Sequence, residues 1–188
     1  MRSRDLRRFG ILNAAAILLL AGLLAFSGNR AGKAAKAELQ SANGHNVRGE
    51  VTFLETEKGT KVIFNISGLE PKSVHGVHVH ENGVCEKPGF QSAGGHFNPT
   101  GELHGSAASE HRHVGDFGNI VANKDGVAKK EILIPKLKLR GENSIIGRAI
   151  IVHAQADDLF SQPTGDAGDR IACGVIEEAA NAPRELQR

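Results

Sequence analysis

Apolar and polar residues alternate in Val47-Arg48-Gly49-Glu50-Val51-Thr52-Phe53 and again in Lys61-Val62-Ile63-Phe64-Asn65-Ile66. A period of two is that of a strand with one face in a core and the other in water. Glu57-Lys58-Gly59-Thr60 separates the two runs, which together predict a hairpin. Val74–His80 repeats the pattern with His78 and His80 on one face and Val77 and Val79 on the other. Ile120–Asn123 and Val127–Ile134 flank Asn123-Lys124-Asp125-Gly126, whose Asp-Gly is a strong turn signal. Ile145–Val152, Ile171–Glu177 and a first strand near Ala37–Ser41 complete a set of eight short strands. No segment reads as a convincing soluble helix. The expected fold is therefore all-β, an antiparallel sandwich or flattened barrel.

Two stretches do not fit strands: Glu81 to about Asp116, and Asp157 to about Arg170. Loops this long in a compact domain are usually functional or disordered, and the first holds His96, His104, His113, Asp116 and Cys85. Composition agrees with a turn-rich β protein. Trp and Tyr are absent, so the core falls to Val, Ile, Leu, Ala and Phe, and 23 glycines supply bends. A chain of 188 residues suits one well-filled domain.

The amino end carries Arg2, Arg4, Arg7 and Arg8, then an apolar run from Ile11 to Phe26 interrupted by Asn13, then Ser27 and Gly28. That order is that of a secretory leader, so the rest of the chain is expected beyond the membrane, in a periplasm or at an extracellular face. A cleaved signal peptide and an uncleaved membrane anchor both fit this segment, the former better. The expected division is 1–35 for leader or anchor plus a short linker, 36–180 for the domain, and 181–188 for a flexible tail. With the net charge at +2 and residues 1–27 supplying a surplus of +3, no broad basic patch points to nucleic acid as a partner. Cys85 and Cys173 are the only cysteines, and in an oxidising compartment two cysteines are expected to pair. A thiolate metal pair is the rival reading.

His78, His80, His96, His104 and His113, with Asp116 three positions after the last, form an array that suits nitrogen-and-oxygen ligation of copper or zinc. His78 and His80 lie two apart on one strand face, about 6.5–7 Å between Cα atoms, which suits two ligands on one ion. An exposed pair could be merely solvated, and each remaining histidine alone could be a surface residue; the whole array is much harder to dismiss.

Four strings carry a resemblance to a family. They are Gly76-Val77-His78-Val79-His80-Glu81, Ser92-Ala93-Gly94-Gly95-His96-Phe97-Asn98-Pro99, His113-Val114-Gly115-Asp116-Phe117-Gly118-Asn119 and Gly168-Asp169-Arg170-Ile171-Ala172-Cys173-Gly174-Val175-Ile176. From about Lys36 to Glu178 the chain resembles the copper,zinc superoxide dismutases, including a histidine within Ile151-Val152-His153-Ala154-Gln155-Ala156-Asp157-Asp158. The resemblance implies an eight-stranded Greek-key sandwich or barrel, immunoglobulin-like, with two long functional loops. It implies copper on His78, His80, His96 and His153, and zinc on His96, His104, His113 and Asp116, with His96 bridging. Asp157 would accept hydrogen bonds from His78 and His104, and Arg170 would attract superoxide beside the copper. A Cys85–Cys173 disulfide would tie the metal loop to the last strand.

Some features depart from the family's eukaryotic members. Cys85 lies five residues after His80 and eleven before His96, a placement like that of exported bacterial members. Ala154–Asp169 is shorter and lacks the eukaryotic row of charges; Gln155 and Pro163 add none. Glu177, Glu178 and Asn82 stand where the eukaryotic dimer has an apolar patch, which favours a monomer or a dimer through another face. The alternative function is a non-catalytic copper or zinc carrier, including a copper-delivery domain, a reading that loss of a copper ligand or of Arg170 would have favoured. His45, His75 and His111 are expected as turn or surface histidines, and Glu81 as a loop anchor.

Overall fold

The computed structural model describes residues 33–179. The expected leader, and the tail from 181, lie outside the described residues. The strands are β1 (Ala34–Ser41), β2 (Arg48–Thr56), β3 (Gly59–Ser67), β4 (Val74–His80), β5 (Asp116–Val121), β6 (Ala128–Ile134), β7 (Ala149–His153), β8 (Arg170–Val175) and β9 (Glu177–Ala179). Among the described residues the one helical element is a 3₁₀ turn, Gln91–Ala93, and no helix is long and apolar enough to cross a membrane.

Alternation produces the strands as expected. Val51 and Phe53 on β2, and Val62, Phe64 and Ile66 on β3, are buried, while Glu50, just before Val51, and Asn65, between Phe64 and Ile66, face outward. Such side chains contribute about 1.5–3 kcal/mol each when fully buried. The β2–β3 hairpin closes over Glu57-Lys58, with Thr56 opposite Gly59. At the predicted Asp-Gly turn, Asn123 Oδ1 accepts from the amides of Asp125 (2.8 Å) and Val127 (3.0 Å), and Gly126 takes φ +71°. That left-handed conformation is cheap only for glycine.

All pairings between strands are antiparallel, in the order β5-β4-β7-β8-β1-β2-β3-β6. β1, β2, β3 and β6 form one sheet, and β5, β4, β7 and β8 the other. The end of β1 joins them through Gln40 and Ser41 opposite Cys173 and Ala172. The connections β3 to β4 and β6 to β7 cross between sheets, which makes the topology a Greek key. The core lies between the sheets and includes Phe53 and Phe117, whose ring centroids are 6.3 Å apart.

Three details differ from the sequence expectation. β9 is a ninth element only in form, because it continues β8 in the same register along β1 after an interruption at Ile176. The strand expected over Ile145–Val152 begins at Ala149. Gly147 at φ +76° breaks the run, and Ile145 instead plugs the core, its amide bonded to Lys138 O at 3.2 Å. β1 starts at Ala34, inside the segment expected to be linker.

β4 positions the site. Its inward residues Val77 and Val79 are fully buried, and so are His78 and His80 on the outward face, because the 81–115 loop folds back over that face.

Candidate metal centre

Loop 81–115 is bound to the end of β4 by a short continuation of the sheet. Glu81 N donates to Gly95 O (3.0 Å), Phe97 N to Val79 O (2.8 Å) and Val79 N to Gly115 O (2.9 Å), so His96 lies opposite His80. The Glu81 carboxylate accepts from Gly95 N at 3.0 Å, which anchors the loop. Asn98 bonds Glu102 through both amide atoms and turns the chain toward His104. On the neighbouring strand β7, Ile151 stands opposite His78, and the strand ends at His153.

His78, His80, His96, His104, His113, His153, Asp116 and Asp157 converge, none more than 5% exposed. So much buried polarity must be compensated. One nitrogen of each of four rings faces a fixed acceptor: His78 Nε2 donates to Asp157 Oδ2 (2.8 Å), His104 Nε2 to Asp157 Oδ1 (2.9 Å), His80 Nδ1 to Gly94 O (3.0 Å) and His153 Nδ1 to Gly168 O (3.0 Å). These acceptors fix the tautomers, so the opposite nitrogens carry lone pairs.

Those lone pairs are left without protein partners. His78 Nδ1, His96 Nε2, His104 Nδ1 and His113 Nδ1 are buried with no hydrogen bond, and His80 Nε2 faces His153 Nε2 at 3.4 Å. Two lone pairs that close repel unless a cation lies between them. The ligand atoms of His78, His80, His96 and His153 lie within 4.8 Å of one another. On the other side of the His96 ring, Asp116 Oδ1 lies 3.0 Å from His96 Nδ1, 3.0 Å from His104 Nδ1 and 3.2 Å from His113 Nδ1. A tetrahedral ion with bonds of about 2.0 Å needs donors about 3.3 Å apart, close to this spacing. His78 also comes within 4.8 Å of His96, His104 and Asp116, but its Nε2 is taken by Asp157, and His113 joins these donors through Asp116. The donor set fits two ions.

Electrostatics favour the ligand forms of three rings and both carboxylates, while Asp116 and Asp157 outweigh burial at His104 and raise it to about 9. Burial, with the charge of nearby His78, lowers His96 to about 4 and His153 to about 3, and burial with His96 beside it pushes His80 well below the usual range. Burial works to raise Asp116 and Asp157. Hydrogen bonds from the surrounding histidines outweigh it and hold both carboxyls well below the usual carboxylate range. Neutral imidazoles and ionised carboxylates are the forms that bind metal.

A family model described as copper/zinc superoxide dismutase (SODC) matches residues 47–176. The chain belongs to the copper/zinc superoxide dismutase family. It is 50% identical over 136 residues to a "Superoxide dismutase [Cu-Zn]" of Paramecium bursaria Chlorella virus 1, covering 69% of this chain and 72% of that relative. It is 44% identical over 153 residues to an "Extracellular superoxide dismutase [Cu-Zn]" of Brugia pahangi, covering 77% of this chain and 75% of that one. A solved structure, a double mutant of a SOD-like protein from Bacillus subtilis, superposes with TM-score 0.68 at 35% identity, covering 74% of this chain and 94% of that one. Copper and zinc are the cofactors of this family.

The dismutase scaffold holds the remaining expected residues close by. Arg170 is half-buried and donates from Nη1 to Phe90 O (2.7 Å) and from Nη2 to Gly94 O (2.6 Å). Gly94 O also accepts from His80, so one carbonyl links the arginine to that ring. Cys85 and Cys173 form the expected disulfide, Cα atoms 5.7 Å apart, which pins the loop to β8; the thiolate pair is excluded. Both sulfurs pack against Phe90, Ala93, Ala149 and Ile151 under the loop.

One expectation fails. His75 is not a surface histidine: it is 4% exposed, and its Nδ1 donates to His153 O at 2.7 Å. The signal was present, because the parity that sends Val77 and Val79 inward sends His75 inward too. His45 and His111 are exposed, as expected. Two positioning residues carried no sequence signal. Arg148 stacks 3.4 Å over the Phe97 ring and donates to Glu81 O at 2.7 Å, and Gln162 bonds the backbone of His104.

Proposed function

We propose that His78, His80, His96 and His153 hold copper, that His96, His104, His113 and Asp116 hold zinc, and that His96 bridges the two. The protein is an enzyme, a superoxide dismutase that converts superoxide to oxygen and hydrogen peroxide. Bound copper would supply the one-electron couple needed to oxidise one superoxide to oxygen and, with two protons, to reduce a second to hydrogen peroxide. The observation that carries the assignment is the division of the His96 ring: its Nδ1 faces Asp116 Oδ1, and its Nε2 is buried without a protein partner on the side of His78, His80 and His153.

The chain's own residues do the rest. The Arg170 guanidinium, fixed by two carbonyls, attracts the small anion and orients it through the donors left free. His96 Nε2 holds one proton between the two half-reactions and passes it to the reduced substrate. Asp157 accepts from one ring of each ligand set, so it fixes both tautomers at once. Burial keeps His80, His96 and His153 neutral. The protein acts outside the cytoplasm. The leader pattern, the disulfide and the extracellular relative support export, by cleavage or with the amino end retained as an anchor. It works as a monomer or as a dimer through a face other than the eukaryotic one, a reading supported by exposed Glu177 and Glu178 at the end of the sheet.

Metal analysis and superoxide removal test the assignment on the full chain and on His96→Ala. The parent is expected to carry one copper and one zinc ion per chain, and the variant to lose activity. Unchanged activity in the variant, or activity without copper, refutes it.

A further inference from the structure

Loop 154–169 is short and has no basic side chain, yet it grips the metal loop through the backbone of His104. The Gln162 side-chain amide lies along the backbone of His104, with Oε1 accepting from His104 N at 2.8 Å and Nε2 donating to His104 O at 3.0 Å. This is the pairing a neighbouring strand would offer, supplied by one side chain. Backbone donors and acceptors have fixed roles, so the orientation of the amide is determined. Nε2 also donates to Phe160 O at 3.0 Å, which ties the same amide to its own loop. Asp158 Oδ1 accepts from the amides of Phe160 (3.0 Å) and Ser161 (2.8 Å) and sets the turn that presents Gln162.

Resting on the assignment of His104 to zinc, we propose that Gln162 is a positioning residue for the zinc site and the second latch between the two loops. Asp157 fixes the His104 ring through Nε2, and Gln162 fixes its backbone, so three bonds aim Nδ1 at the point it shares with His96, His113 and Asp116. A glutamine is required because only an amide carries a donor and an acceptor in one plane; glutamate lacks the donor and methionine lacks both. The coupling is reciprocal: whatever loosens residues 158–162 loosens zinc, and zinc departure loosens the loop that leads to Arg170.

The test uses the full chain loaded with copper and zinc, as parent, Gln162→Met and Gln162→Glu. Zinc release to a chelator and hydrogen exchange of the His104 amide are followed in each. Gln162→Met is expected to release zinc and exchange that amide about tenfold faster, the factor that about 1.4 kcal/mol represents, with copper content unchanged. Gln162→Glu is expected to do no better, since a carboxylate oxygen replaces the donor facing the His104 and Phe160 carbonyls. Faster exchange with unaltered zinc release overturns the positioning role and leaves only a structural contact. Unaltered exchange and release together overturn the latch, while the assignment of the ligands stands. A parent that binds no zinc overturns both.

Discussion

Raising the pH of the metal-free protein from 6.5 through about 9 is expected to remove one proton from His104, half of it by pH 9, and zinc binding at the proposed site must expel that same proton. Burial disfavours charge on this ring, but Asp116 and Asp157, 3.0 and 2.9 Å from its two nitrogens, outweigh burial and raise its pKa from 6.5 to about 9. On the proposed assignment zinc needs the Nδ1 lone pair, so well below pH 9 apparent zinc affinity falls about tenfold per pH unit, about 50-fold in all between pH 9 and pH 7. In this window His96, lowered to about 4, is already neutral, and Asp116 and Asp157 are already ionised. Calorimetric titration of zinc at pH 7 in two buffers of different ionisation heat counts the protons, and one is expected. A count of zero from His104, shown by affinity that does not change between pH 7 and pH 9, refutes the reasoning. The same shifts set the sign for stability. The contribution of His104, with its raised pKa, is full below 6.5 and lost as pH rises through about 9. His96 and His153, lowered to about 4 and about 3, contribute above 6.5 and lose that contribution as pH falls toward those values. The metal-free fold is therefore most stable near neutrality.

Gly165→Ala would place a Cβ 2.0 Å from Asp157 Oδ1 and 2.5 Å from His104 Nε2, at φ +68°. Metal retention after dialysis against a chelator should drop about 10–100-fold, and full retention would contradict the role of Asp157 in fixing His78 and His104. Replacing Cys85 and Cys173 by serine removes a link across 88 residues and should lower the stability of the metal-free protein by about 4–5 kcal/mol in denaturant unfolding; a loss below about 1 kcal/mol would count against it. Phe53→Ala empties a fully buried site against Phe117 and should cost about 3–5 kcal/mol, read the same way. Its metal content should match the parent's where the variant stays folded, since Phe53 lies in the core between the sheets.

Strand periodicity in this chain placed Val77 and Val79 inward and His78 and His80 together on the opposite face, and the structure agrees. It erred at Ile145, where a buried apolar residue belongs to a turn; burial alone cannot tell a strand from a plug. His75 shows the same pattern misread, with a polar residue obeying the parity of its apolar neighbours. Gln162 and Arg148 were illegible for another reason. Their partners are backbone carbonyls and amides of segments far along the chain, and no residue type marks where such groups will arrive.

Strand alternation, the turn at Asn123–Gly126, the clustering of donor side chains and the family were legible along the chain, because each depends on local period or on the chemistry of named side chains. Which nitrogen of His78, His80, His104 and His153 is free depends on long-range packing, since a tautomer is set by the acceptor on its far side: Asp157, Gly94 or Gly168. Those acceptors reach the rings through loop closure. The division of His96 between two ligand groups is likewise a property of how loop 81–115 folds over β4.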